Sequence, residues 1–160
     1  MKKGGFFERE VSKSLGLCKD AYGSHFFYRR ILDPHAVGMR VPADFMAVYK
    51  GACYLFECKS CGIKTSFPLS YVRPGQVEDL SEASDSGCKS IVLIKRTGRP
   101  AKVYSMDIRV FLDMKMDSRK KSIKWGELED YEGVESLRKI GDCWDLKGLF
   151  IQQNQDLSYL

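Results

Sequence analysis

The chain has 160 residues, 44% hydrophobic and 29% charged, and Lys plus Arg outnumber Asp plus Glu 26 to 21, for a formal charge of +5. That is the profile of a single globular domain over residues 1–160, long enough to bury a sizeable core. The basic excess leans toward polyanionic partners. No apolar run approaches the roughly 18 residues of a membrane span, so no membrane partner is expected.

The N-terminus, two lysines and then Gly4-Gly5-Phe6-Phe7-Glu8, lacks the apolar core of a secretory signal. The expected compartment is the cytoplasm, where the six cysteines would be free thiols. Cys58-x-x-Cys61 invites a zinc reading, but no second Cys-x-x-Cys or His pair completes a ligand set.

Phe7, Val11 and Leu15 recur at helical spacing after Gly4-Gly5, with Gly16 as the expected stop. Glu8 falls on the border of that apolar stripe, where an acid also complements the helix dipole. Arg9, Glu10 and Lys13 read as solvated. Residues 25–32 are aromatic and β-prone and predict a strand, on which Arg29 and Arg30 point to opposite faces. The segment 33–40 reads as a loop with Pro34 and Gly38. His25 and His35 sit in no metal-binding pattern.

Val41 to Lys59 forms two β-rich runs joined at Lys50-Gly51, a hairpin signal. A two-residue turn makes residue 49 face 52 and Asp44 face Glu57. Lys59 then shares the face of Glu57, two residues away, while Cys58 points into the opposite, core-packed face. Like charges directly opposed destabilise a strand pair, so a fold that keeps Asp44 and Glu57 there calls for a cation between them. A three-residue turn would pair Asp44 with Cys58 instead and break the shared face.

Residues 60–69 read as a loop rich in hydroxyls. Arg73-Pro74-Gly75-Gln76 opens a helix to about Ala83. Ser90 to Lys95 is the candidate central strand, buried on both faces, and Lys102-Val103-Tyr104 a further short strand. Asp107 caps a helix with Ile108, Phe111 and Leu112. The Arg119-Lys120-Lys121 cluster reads as a solvated face with phosphate contact as its alternative, and Trp125 and Trp144 as core anchors. The catalytic core is expected over about 4–105, with 106–160 peripheral. This order of elements gives an α/β fold, a mixed β-sheet flanked by helices.

Glu8, Pro42-Ala43-Asp44 and Glu57-Cys58-Lys59 together resemble the PD-(D/E)xK nuclease superfamily, whose core is restriction-endonuclease-like. Gly5-x-x-Glu8, Asp44-Phe45, Glu57-Cys58-Lys59, Lys64-Thr65-Ser66-Phe67-Pro68-Leu69 and Gln76 fall in the order of RecU-type Holliday junction resolvases. The archaeal Hjc resolvases share the Glu, Asp and Glu-x-Lys elements but not the Lys-Thr-Ser-Phe-Pro-Leu block. The resemblance covers about residues 4–95. The chain departs from it in a short stretch between Glu8 and Asp44, which shortens or removes the family's protruding stalk, and in Gly75 where a His is usual. A phage or mobile-element form with a trimmed scaffold fits those departures, with the host cytoplasm as its compartment.

The resemblance implies a metal-dependent, structure-selective endodeoxyribonuclease of DNA recombination and repair, acting as a homodimer on branched DNA. It would nick four-way junctions symmetrically by phosphodiester hydrolysis. Asp44, Glu57 and the backbone carbonyl of Cys58 would hold Mg²⁺, with Mn²⁺ as a substitute, since hard cations take oxygen ligands. Glu8 would reach a second ion or orient a water. Lys59 would hold the attacking water and offset phosphate charge; as a base it would need a lowered pKa. Lys13, Arg29, Arg30, Lys64, Thr65, Arg73 and Gln76 are the candidate contacts to the DNA backbone. The alternatives are another nuclease of the superfamily (restriction-like, flap-cutting, nicking or exonucleolytic) or a non-catalytic junction-binding protein.

Overall fold

The computed structural model describes residues 4–32, 41–117 and 119–151. The expected loop at 33–40, with His35, lies outside the described residues. Helix α1 (Gly4–Tyr22) is followed by strands β1 (Phe26–Arg30), β2 (Phe45–Tyr49), β3 (Ala52–Cys61) and β4 (Ser66–Pro68), then a 3-10 turn at Leu69–Tyr71 and helix α2 (Pro74–Asp85). Strands β5 (Lys89–Arg96) and β6 (Lys102–Asp107) lead to α3 (Ile108–Met116), β7 (Ser122–Lys124) and α4 (Trp125–Asp130). The short elements β8 (Glu135–Ser136), β9 (Lys139–Ile140), β10 (Cys143–Trp144) and α5 (Gly148–Ile151) complete the described chain. No helix among the described residues is long and apolar enough to cross a membrane.

Six strands form a mixed sheet in the order β1-β2-β3-β5-β6-β8. Only β3 and β5 run parallel among the pairings of this sheet. Parallel neighbours need a long crossover, and here it carries β4, the 3-10 turn and α2. Ser90 through Ile94 on β5 are buried, as their near-continuous apolar run predicts for a strand covered on both faces.

Alternation along β3 divides the core into two layers. Tyr54, Phe56 and Cys58 face α1, packing with Phe7, Val11, Leu15 and Cys18 and with Trp144, Leu146 and Phe150 from the C-terminal segment. Leu55 and Cys61 face the other way, toward Val77 and Leu80 of α2, Phe111 and Met114 of α3, and Trp125 and Leu128. Both tryptophans are core anchors, as expected, and residues beyond 106 fill part of each layer.

Two elements differ from expectation. Helix α1 continues through Gly16, because Cys18 extends the buried stripe by another turn; a Cβ at Gly16 would meet the Tyr28 hydroxyl at 3.4 Å. The helix gives way after Tyr22 at Gly23, whose φ of 59° lies in the left-handed region that glycine tolerates. Ser66-Phe67-Pro68 is a strand and not loop, because β7 supplies a partner more than fifty residues downstream, with Phe67 opposite Ile123. Pro68 sits at its end, where a missing N–H costs least.

The hairpin has the expected register, Tyr49 opposite Ala52 and Phe45 opposite Phe56. Lys50 and Gly51 both take positive φ, 48° and 80°, the requirement of a type I′ turn that matches the strands' twist. Asn tolerates the left-handed region better than Lys, and Ala tolerates it worse than Gly. Lys50→Asn is therefore expected to raise the melting temperature, and Gly51→Ala to cost about 1 kcal/mol; thermal melts of the two variants check the turn assignment.

Candidate active site

Asp44 stands one residue before β2, and its backbone is fixed from both sides. Its N–H donates to the Phe56 carbonyl at 2.9 Å, and its carbonyl accepts from the Ile31 N–H at 2.8 Å. Strand β3 runs on past this point, so the Cys58 N–H has no partner strand on that side. The Asp44 carboxylate takes that N–H at 2.7 Å. In an antiparallel strand a residue's N–H and C=O point to the same neighbour, so the Cys58 carbonyl is directed toward the Asp44 side too. The Cys58 thiol points the other way, into the core, and burial pushes its pKa well up.

Glu57 lies on the face opposite the Cys58 side chain and is only 2% exposed. Its Oε1 accepts from the Gln76 amide at 2.6 Å and from the Lys59 ammonium at 2.8 Å, while Oε2 takes no partner among the described residues. The Gln76 side-chain oxygen accepts from the Arg73 N–H at 3.1 Å, where that residue opens α2. One side chain thus ties the start of α2 to the buried carboxylate. Pro74 at the first helical turn starts the helix where Gln76 can do this.

Glu8 joins from α1 and pairs with Arg30 on β1. Its helix is held by Glu10, which accepts from the Lys95 ammonium at 2.7 and 2.8 Å and from the Trp144 indole N–H at 3.0 Å. Arg30 is the arginine of the strand that meets this group. Arg29 turns away and lies over the Phe27 ring.

Three carboxyls share too little positive charge. Burial, and then the Asp44 charge, push Glu57 up to about 7, against the pull of Lys59 and Gln76. Asp44 is raised by burial in spite of the Cys58 N–H, Lys59 and Arg30. Glu8 is raised by burial and by Asp44, with Arg30 and Lys59 opposing. A divalent cation would reverse this balance, and Mg²⁺ typically takes one or two carboxylates and completes its shell with water and phosphate. The donor set of two carboxylates with a carbonyl directed to the same side fits such an ion. No cluster of three or more His, Cys, Asp and Glu side chains arranged to hold a metal stands among the described residues.

The other sequence candidates are spread more widely. Lys64 and Thr65 are exposed on the loop between β3 and β4. That loop is pinned from beneath: the Trp125 indole donates to the Ile63 carbonyl at 2.8 Å, Arg96 to the Lys64 carbonyl at 3.3 Å, and Thr97 to the Cys61 carbonyl at 3.2 Å. Sequence reasoning missed Arg96 and Thr97 and gave Trp125 only a core role, since nothing local ties them to residues 61–65. Arg73 is exposed at the start of α2. Lys13 is not brought to the group and pairs instead with Asp142.

An Asp ahead of one strand and Glu-x-Lys on its hairpin partner, set in a mixed sheet with a helical acid beside them, is the PD-(D/E)xK arrangement. The family model described as Recombination protein U matches residues 36–139, which takes in Asp44, Glu57, Lys59 and the Lys64–Gln76 stretch. The chain belongs to the RecU family. A Holliday junction resolvase RecU of Shouchella clausii (strain KSM-K16) is 41% identical over 88 residues, covering 54% of this chain and 42% of that protein. One from Oceanobacillus iheyensis is 32% identical over 85 residues, covering 51% and 43%. These matches therefore span less than half the length of the relatives. Among solved structures, the Archaeoglobus fulgidus Hjc Holliday junction resolvase aligns with a TM-score of 0.49 and 16% identity, covering 75% of this chain and 85% of that one.

The raised Glu57 carboxyl has a consequence for stability. A group that holds its proton more tightly in the fold than in the unfolded chain favours the fold when protonated. In EDTA its contribution is complete below about pH 4.5 and is lost as the pH rises to about 7. Urea melts across that window are expected to show a falling midpoint for the native chain and a flatter profile for Glu57→Gln.

Proposed function

We propose that this chain is a metal-dependent, structure-selective DNA endonuclease that resolves four-way junctions by paired phosphodiester hydrolysis. The observation that carries the reading is the end of the hairpin, where the Asp44 carboxylate on the Cys58 N–H lies close enough to Glu57 to raise it, with Lys59 paired to Glu57 and both acids desolvated. Membership of the RecU family, and the name Holliday junction resolvase borne by the two relatives, support the choice of substrate.

In this proposal Asp44, Glu57 and the Cys58 carbonyl would hold Mg²⁺, with Mn²⁺ as a substitute. The ion, when bound, supplies Lewis-acid polarisation of the scissile phosphate and a lowered water pKa. The protein's own groups set the geometry. The Cys58 N–H fixes the Asp44 rotamer. Gln76 and Lys59 both hold Glu57 by Oε1, which leaves Oε2 for a ligand. Lys59, 16% exposed in its side chain, places an ammonium beside Glu57, where it would orient the attacking water and offset charge on the phosphate. Glu8, held by Arg30, orients a water or serves a second ion.

Lys64, Thr65 and Arg73 contact the DNA backbone from the rim, positioning it without reading bases. Gln76, engaged at both ends of its amide, acts through Glu57. Symmetric cutting of two strands requires a two-fold pair of active sites, so the acting species is a homodimer.

Asp44→Asn and Glu57→Gln are each expected to lower cleavage by at least about a hundredfold, since a metal-held charge is worth several kcal/mol in the transition state, while junction binding persists. Native-rate cleavage by both variants would overturn the site. Substrate choice is read by comparing a four-way junction, a flap, a linear duplex and single-stranded DNA with Mg²⁺, Mn²⁺, Ca²⁺ and EDTA. Paired symmetric nicks confined to the junction, with Mg²⁺ or Mn²⁺ only, are expected. Cutting of linear duplex at one sequence would indicate a restriction-like enzyme, progressive shortening an exonuclease, and binding without cutting a non-catalytic junction protein.

A further inference from the structure

The basic run from Arg119 to Lys124 does not act as one patch. Arg119 pairs with Asp117 at 3.3 Å, and Lys120 pairs with Glu127 at 3.2 Å at the edge of a cavity that Asp113, Asp130 and Glu132 also line. Those two cations are neutralised, and the cavity beside them would repel a polyanion. Lys121 and Lys124 are exposed and have no carboxylate partner among the described residues.

Their position follows from the β4–β7 ribbon. Ser66 lies opposite Lys124 and Pro68 opposite Ser122, while Phe67 and Ile123 between them turn into the core, 0% and 2% exposed. Lys124 therefore stands on the outward face of the ribbon, with Ser66 and Ser122. Both ends of the ribbon are sealed to the segment that leads into the candidate active site. The Trp125 N–H donates to the Thr65 carbonyl at 3.4 Å, and the Leu69 N–H to the Lys121 carbonyl at 3.0 Å. Lys124 thus adjoins Lys64 and Thr65, and Lys121 adjoins the turn that runs to Arg73. Gln76, three residues on, touches Glu57.

We infer that Lys121 and Lys124 form a phosphate-binding rail, continuous with Lys64 and Arg73, that carries one DNA arm away from the active site; this rests on the proposed nuclease function. Lys64, Arg73, Lys121 and Lys124 are exposed, have no carboxylate partner among the described residues and stand on the ribbon or the segments joined to its ends, and a phosphate backbone is a partner that such cations take up with release of its counterions. Lys121 lies one residue ahead of β7 and Lys124 closes it, so the two exposed lysines flank the ribbon at its two ends, one beside Leu69 and the other beside Thr65. Because they come from residues that no sequence proximity links to the active site, they add contacts without touching the metal-holding group. The partitioning of the run makes the inference sharp: adjacent cations of equal formal charge have opposite roles.

The test measures binding of the full chain to a synthetic four-way junction in EDTA over a series of salt concentrations. Each neutralised phosphate adds about 0.9 to the slope of log affinity against log salt. Lys121→Ala/Lys124→Ala is expected to bind more weakly and to lower that slope by about 2. Arg119→Ala/Lys120→Ala is expected to keep the native slope, and Lys121→Arg/Lys124→Arg to restore it. An unchanged slope in the first variant, or an equal fall in the second, overturns the rail. If the native chain cuts junctions with Mg²⁺ while the slope ignores Lys121 and Lys124, only the rail fails. If the native chain neither binds nor cuts DNA, the nuclease reading fails with it.

Discussion

Everything at the candidate site depends on a two-residue turn. With Lys50 and Gly51 both in the left-handed region, residue 49 must face 52, and the ladder counts down without a slip to Phe45 and Phe56, which delivers Asp44 to the Cys58 N–H beside Glu57. One residue more in the turn would move every side chain of the strand to the other face. The Asp44 carboxylate would then lose the Cys58 N–H, and Glu57 would lose Asp44 as its neighbour. Register also explains why a carboxylate replaces a strand at that point. Strand β2 ends where β3 continues, and the orphaned N–H of Cys58 is satisfied by a side chain in place of a backbone carbonyl.

The same register creates an electrostatic debt. Glu57 is buried deeply enough to prefer its proton up to about pH 7, although an ammonium and an amide both point at it. Lys59 and Arg30 do not offset three carboxyls that burial and mutual repulsion disfavour. A purely structural site would be expected to evolve toward neutrality, since an uncompensated buried charge is costly. Retaining the imbalance makes sense where a cation and a phosphate are to be recruited.

Much of this was legible in the chain, for identifiable reasons. Glu57-Cys58-Lys59 needs only the two-residue period of a strand, and the register from Tyr49 to Phe45 needs only the turn, so local rules were enough to bring Asp44 beside that strand. The buried stripe Phe7, Val11, Leu15 made α1 visible, and Asp107 announced the start of α3, where it accepts from the Arg109 N–H. What stayed hidden depends on partners distant in sequence. Ser66-Phe67-Pro68 is a strand only because Ser122-Ile123-Lys124 lies beside it. Gln76 looked like a surface contact because its reach to Glu57 depends on how α2 sits on the sheet. Gly16 looked like a stop because the close approach of Tyr28 cannot be read from its neighbours. The support that Trp125 and Arg96 give to the 61–65 loop was hidden for the same reason.

The anchoring of α1 carries a lesson about boundaries. The match to the family model runs from residue 36 to 139, yet the indole of Trp144 holds Glu10, and Trp144, Leu146 and Phe150 fill the layer beneath the helix that presents Glu8. Recognisable ancestry and mechanical integrity therefore end at different residues. A fragment trimmed to the homologous segment would lose the first helix and the aromatic floor on which it rests, although Asp44, Glu57 and Lys59 would all remain in its sequence. Domain limits drawn from kinship alone would cut through the foundation of the molecule.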